Sequence, residues 1–150
     1  AKTKPLLKVK SKQVIAINFG FEITDAATGQ VLGTVQKRGF KSIIRDKFLL
    51  LDASGMEVGF AEEQGASILR RFIPIITSKH AIFAYPAPRP PGGPAELAPG
   101  VDTVARIHQT FRFFTKEFRV DVRPSKLDER FVLAVALLAL IAESRREDGG

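Results

Sequence analysis

The chain has 150 residues, 45% of them hydrophobic and 26% charged, with no cysteine and a formal net charge of +7. This length is enough for one domain to bury a core without staples, and the composition is that of a folded protein, not a disordered one. Disulfides, thiolate metal sites and thiol catalysis are excluded together. The positive balance favours acidic partners such as lipid headgroups or nucleic acid, with solubility alone as the plainer reading.

The Lys-rich start is not followed by an apolar stretch, so no signal peptide is read there. The expected location is the cytoplasm, with peripheral attachment to a membrane as an extension of it. Lys2, Lys4, Lys8, Lys10 and Lys12 all hold even positions. In a strand over residues 6–12, Lys8, Lys10 and Lys12 share one face because side chains alternate. Ile15, Ile17, Phe19, Phe21 and Ile23 then hold odd positions, the period of a half-buried strand. Asp25-Ala-Ala-Thr-Gly29 reads as a turn and Gln30 to Val35 as the returning strand of a hairpin.

The hairpin phrase comes back. Phe21-Glu-Ile-Thr-Asp25-Ala-Ala-Thr-Gly29-Gln-Val-Leu-Gly33 aligns with Phe48-Leu-Leu-Leu-Asp52-Ala-Ser-Gly55-Met-Glu-Val-Gly59, the second copy one residue shorter in its turn. Asp bonds its own turn backbone and Gly accepts positive φ, which gives the shared frame a mechanical reason. A fainter echo relates Phe40 to Phe48 and Phe111 to Phe118. The repetition predicts a meander built from like hairpins.

Apolar positions continue through Ile68, Phe72, Ile73, Ile75 and Ile76, with Pro74 marking an edge or bend, and then Ala81 to Tyr85. Residues 86–100 hold six of the nine prolines and read as a surface loop within a single domain spanning 1–150. Strands resume from Val101 to Val122. Ser125-Lys-Leu-Asp128 has the form of a capping box before the apolar run Phe131 to Ala142.

That run places the predicted helix at about 126–144. Ala and Leu dominate it, and twelve residues pass without a polar side chain. A membrane crossing needs about 20 apolar residues. A helix apolar on every side requires burial on every side. The sequence therefore predicts a mainly β fold, a closed antiparallel barrel of about ten to twelve strands wrapped around this helix. Phe131, Leu133, Leu137, Leu138, Leu140 and Ile141 are the predicted axle.

The phrases at 21–33 and 48–59, the segment Thr103-Val-Ala-Arg-Ile-His-Gln-Thr-Phe-Arg-Phe-Phe-Thr-Lys-Glu-Phe-Arg-Val-Asp-Val122 and the ending from Leu127 to Leu140 resemble the LURP-one-related proteins. These group with phospholipid scramblases and the Tubby C-terminal domain. The resemblance covers about Leu6 to Ala142 without the Pro-rich loop, and it is to a bacterial-type member. It implies a twelve-stranded barrel around a C-terminal helix. Tubby domains bind phosphoinositides and scramblases are tied to lipid movement. The acidic calcium-binding stretch of scramblases has no counterpart in this chain.

Basic residues are the leading functional candidates. Lys8, Lys10 and Lys12 on one strand face join Lys37, Arg38, Lys41, Arg45 and Lys47, which crowd the connection between the two hairpins. Each basic residue beside an anionic membrane contributes about 1 kcal/mol, so five or six hold a protein there. The plainer reading is the solvated outer face of a basic barrel. Phe111, Phe113, Phe114 and Phe118 interleave with Arg112, Lys116 and Arg119 in the manner of a nucleic-acid surface, although core packing explains the rings better.

No catalytic residue, metal ligand or cofactor is expected. The two histidines, His80 and His108, have no ligating companion at a metal spacing, and Asp25 and Asp52 hold equivalent turn positions. Pro88-Arg-Pro-Pro91 fits a minimal P-x-x-P ligand. The expected function is a monomeric, non-enzymatic module that binds phospholipid or phosphoinositide headgroups. The alternatives are a protein-interaction or structural domain, then nucleic-acid binding.

Overall fold

The computed structural model describes residues 4–15, 18–37, 47–64, 79–93, 99–110 and 117–148. Period-two patterns become strands: β1 (Leu7–Ile15), β2 (Asn18–Asp25), β3 (Val31–Lys37), β4 (Lys47–Leu51), β5 (Glu57–Gln64), β6 (Lys79–Arg89), β7 (Asp102–Thr110) and β8 (Glu117–Val122). The uninterrupted apolar run lies within α1 (Glu129–Asp148). All eight strands lie in one antiparallel sheet in chain order, the meander that the repeated hairpins predict.

Both repeats fold as predicted, and their aspartates close the turns. Asp25 Oδ1 accepts the backbone N–H groups of Ala27 and Thr28 at 2.8 and 2.9 Å. Asp52 Oδ1 accepts from Ser54 N, Ser54 Oγ and Met56 N at 2.9, 2.7 and 3.0 Å. Gly29 and Gly55 take φ of 73° and 86°, which a side chain disfavours. The second glycine of each repeat serves packing. A Cβ on Gly33 would lie 2.5 Å from the Leu51 carbonyl and 2.7 Å from the Phe131 ring, and one on Gly59 would lie 2.1 Å from the Phe83 carbonyl.

The sheet curves as a half-barrel around α1, not as a closed barrel of twelve strands. Among the described residues β1 pairs only with β2 and β8 only with β7. A closed eight-stranded barrel is filled by its own side chains and has no room for a helix about 10 Å across, so the eight described strands hold theirs as an open sheet. Residues 38–46, 65–78 and 111–116, which include Ile68 to Ile76 and Phe111 to Phe114, lie outside the described residues.

The open side corrects the predicted axle. Phe131, Val132, Ala134, Val135, Ala136 and Ala139 are buried, and Leu138, Leu140 and Ala142 are partly buried against the same core. Leu133, Leu137 and Ile141, by contrast, are 41%, 57% and 50% exposed. At about 100° per residue these three span about 80° of the helix surface, and the buried positions fill most of the rest. Small residues face the sheet because a tight half-barrel brings the helix close to it. No helix among the described residues is long and apolar enough to cross a membrane.

The start of α1 also differs from the predicted capping box. Asp128 is the cap: its Oδ1 accepts Arg130 N at 2.9 Å and its carbonyl accepts Val132 N at 3.1 Å. Ser125 Oγ accepts Leu127 N in the preceding turn.

A second, smaller core lies on the convex face. Leu49, Phe60, Ala81, Phe83 and Tyr85 are buried there with Val101 against them, and the Phe60 and Phe83 rings stack at 4.9 Å. β5 is therefore buried along both faces, from Glu57 to Glu63. The Pro-rich stretch is only partly the predicted loop, since β6 runs on through Pro86 and Pro88 to Arg89.

Candidate functional site

The candidate basic surface begins with the alternation of β1. Val9 pairs with Ile23, which is fully buried in the helix-side core, so Lys8 and Lys10, paired with Thr24 and Glu22, are on the opposite, convex face. Both lysines are exposed. Lys12 follows in register opposite Gly20. Residues two apart on a strand are separated by about 6.6 Å, so Lys8 and Lys10 lie one after the other along the sheet's edge.

Lys37 does not join them. It pairs with Phe48, a member of the helix-side core, which places it on the concave side of the sheet at the end of β3. The pleat therefore divides the predicted set: Lys8 and Lys10 on one face, Lys37 on the other. Arg38, Lys41 and Arg45 lie outside the described residues. Lys47, beside them in the sequence, is committed to a cross-strand pair with Glu62 at 3.3 Å, its ammonium 5.7 Å from the centre of the Phe60 ring.

The aromatic–basic alternation of β8 is likewise split by the pleat. Phe118 packs partly buried on the helix-side core, whereas Arg119 is on the convex face, 3.0 Å from Asp121. Phe111, Arg112, Phe113, Phe114 and Lys116 lie outside the described residues. A stacking platform needs rings and cations on one surface, and β8 separates them.

Three charged arrangements escape a linear reading of the sequence. Arg130, in the first turn of α1, donates Nη1 to Asp25 in the first hairpin turn and Nη2 to Asp128 at 2.8 Å, tying the helix start to the sheet. The N–H groups of Thr28 and Ala27, with Arg130 beside them, hold the Asp25 carboxyl below its usual range. Asp128 is lowered chiefly by its hydrogen bond from Arg130, and Asp52 chiefly by that from Ser54.

Glu57 is the second. It is 0% exposed and accepts from Arg89 Nε at 3.0 Å and Gly92 N at 3.1 Å. Arg89 also donates to Tyr85 Oη at 2.7 Å and stacks 3.9 Å over the Tyr85 ring. Arg89 is the Arg of Pro88-Arg-Pro-Pro91, so its side chain ties the P-x-x-P segment to the convex core while Pro88, Pro90 and Pro91 stay exposed. The third is the buried cross-strand pair Glu63 and His80, on the helix side beside Ile107. No local pattern marks either residue, since Glu63 lies between Glu62 and Gln64 and His80 follows Lys79, and only the register brings them together.

Among the described residues no three His, Asp or Glu side chains converge into a metal-binding group. A cleft of about 350 Å³ between the end of β8 and the start of α1 is lined by Arg123, Ser125 and Glu129 with Val122, Leu127 and Val132. No protein-family model, curated protein or solved structure matches the chain.

Proposed function

We propose that this protein is a non-enzymatic binding module that engages anionic headgroups, phospholipid or phosphoinositide, at the periphery of a membrane through the lysine row of β1. The observation that carries the reading is the placement of exposed Lys8 and Lys10 on one face of a sheet-edge strand, with Lys12 next in register. The +7 net charge adds long-range attraction to an acidic surface. The resemblance of the repeated hairpins to LURP-one-related proteins, kin of scramblases and Tubby domains, points the same way.

Lys8 and Lys10 at about 1 kcal/mol each give about 2 kcal/mol, a weak and reversible attachment instead of the firmer one that five or six clustered cations would produce. Such binding depends on salt, because exposed charges are screened beyond about 10 Å at 0.1 M. Flotation with vesicles of graded anionic content tests it. The expected result is a bound fraction that rises with anionic content at low salt and falls when salt is added. An equal fraction on neutral and anionic vesicles overturns the reading.

A further inference from the structure

We propose that the open side of the half-barrel is a docking groove for an extended acidic segment of a partner protein, which adds as a ninth strand along β1 and turns its apolar side chains onto α1. Among the described residues β1 is paired only with β2, so its outer edge presents backbone N–H and C=O groups that an incoming strand satisfies. Apolar surface lies beside that edge. Leu133, Leu137 and Ile141 form the uncovered stripe of α1, and Val9, 47% exposed, is on the helix-facing side of β1.

The dimensions agree. Arg130 is bound to Asp25, which Leu7 faces across the β1–β2 ladder, so α1 starts beside the Leu7 end of β1. From Leu133 to Ile141 the helix rises about 12 Å, the length of about four residues of an added strand. Every second residue of that strand meets the stripe. The residues between point to the convex side, where Lys8 and Lys10 are exposed. The complementary segment therefore alternates apolar and acidic side chains. A second copy fits less well, because each copy carries +7 and β1 against β1 sets lysine beside lysine.

This proposal requires the apolar stripe as well as the lysines, so it stands or falls separately from headgroup binding. The test uses the full chain with a fluorescent, acetylated decapeptide of five Glu-Val repeats, and a control peptide of five Glu followed by five Val. The alternating peptide is expected to bind about tenfold more tightly than the control. It should slow amide exchange at residues 7–11, and Leu137→Asp should weaken it about tenfold at unchanged melting temperature. If Leu137→Asp lowers the melting temperature, Ile141→Gln gives the same comparison.

Equal affinity for the two peptides overturns the proposal, leaving simple charge attraction. So does unaltered exchange at residues 7–11 in the peptide complex. Protection of those amides by anionic vesicles without any peptide binding assigns the groove to lipid and overturns it. A concentration-dependent dimer that protects the same amides and excludes the peptide assigns the groove to a second copy, with the same consequence.

Discussion

At the scale of single residues, the charges that matter most to this fold are those that close turns or are sealed inside. Removing Arg89 takes one bonded cation from the buried Glu57, which keeps its bond from Gly92 N, and loss of one partner from a buried ion pair costs about 3–5 kcal/mol. Arg89 is itself 29% exposed, which places Arg89→Ala at the lower end, about 3 kcal/mol. For a chain of this size that lowers the melting temperature by about 6–12 °C, readable by calorimetry. The three depressed aspartates set the acid limit. In the unfolded chain each titrates near 3.8, while in the folded protein Asp25, Asp52 and Asp128 titrate lower. As pH falls through that range the unfolded chain takes up protons first, so stability present at neutral pH is lost from about pH 4 downward. Thermal melts between pH 7 and pH 2 should show that decline, and Asp52→Asn should make it shallower.

At the scale of elements, the second glycine of each repeat and the small face of α1 meet the same demand for close approach. Gly33→Ala drives a methyl group into the Leu51 carbonyl and the Phe131 ring, an overpacking that costs about 1–3 kcal/mol by denaturant titration. Aspartate separates the two faces of the helix. Val135→Asp puts a charge where exposure is 1% and should abolish cooperative folding, whereas Leu137→Asp should shift stability by about 0.5 kcal/mol or less. Matching losses in both variants would mean that the helix is enclosed on all sides.

Elements with a local cause were legible in the sequence. The Asp–Gly turns announce both hairpins, the period of two fixes β1, β2 and β8, and Ala and Leu mark the helix. The packing of that helix was not legible, because Leu133 and Leu138 are alike in composition and differ only in what the sheet covers. The same holds for the site. Alternation alone places Lys8 and Lys10 together, but the face of Lys37 depends on its pairing with Phe48, which only the register decides. Glu57 and Arg89 lie 32 positions apart, and no local pattern joins them.

At the scale of the whole molecule, an eight-stranded half-barrel around an apolar helix has a basic convex edge and an uncovered apolar flank beside it. In the reading proposed above, headgroups meet the edge and a partner strand the flank, and the lysines of β1, not the total charge, bind the anionic surface. The most direct measurement is flotation at low salt of two charge-matched variants, Lys8→Glu/Lys10→Glu and Lys37→Glu/Lys79→Glu, each lowering the net charge by four units. The account predicts that the β1 variant loses binding to anionic vesicles while the second retains most of it. Equal losses in the two variants would contradict it and reduce the interaction to net charge.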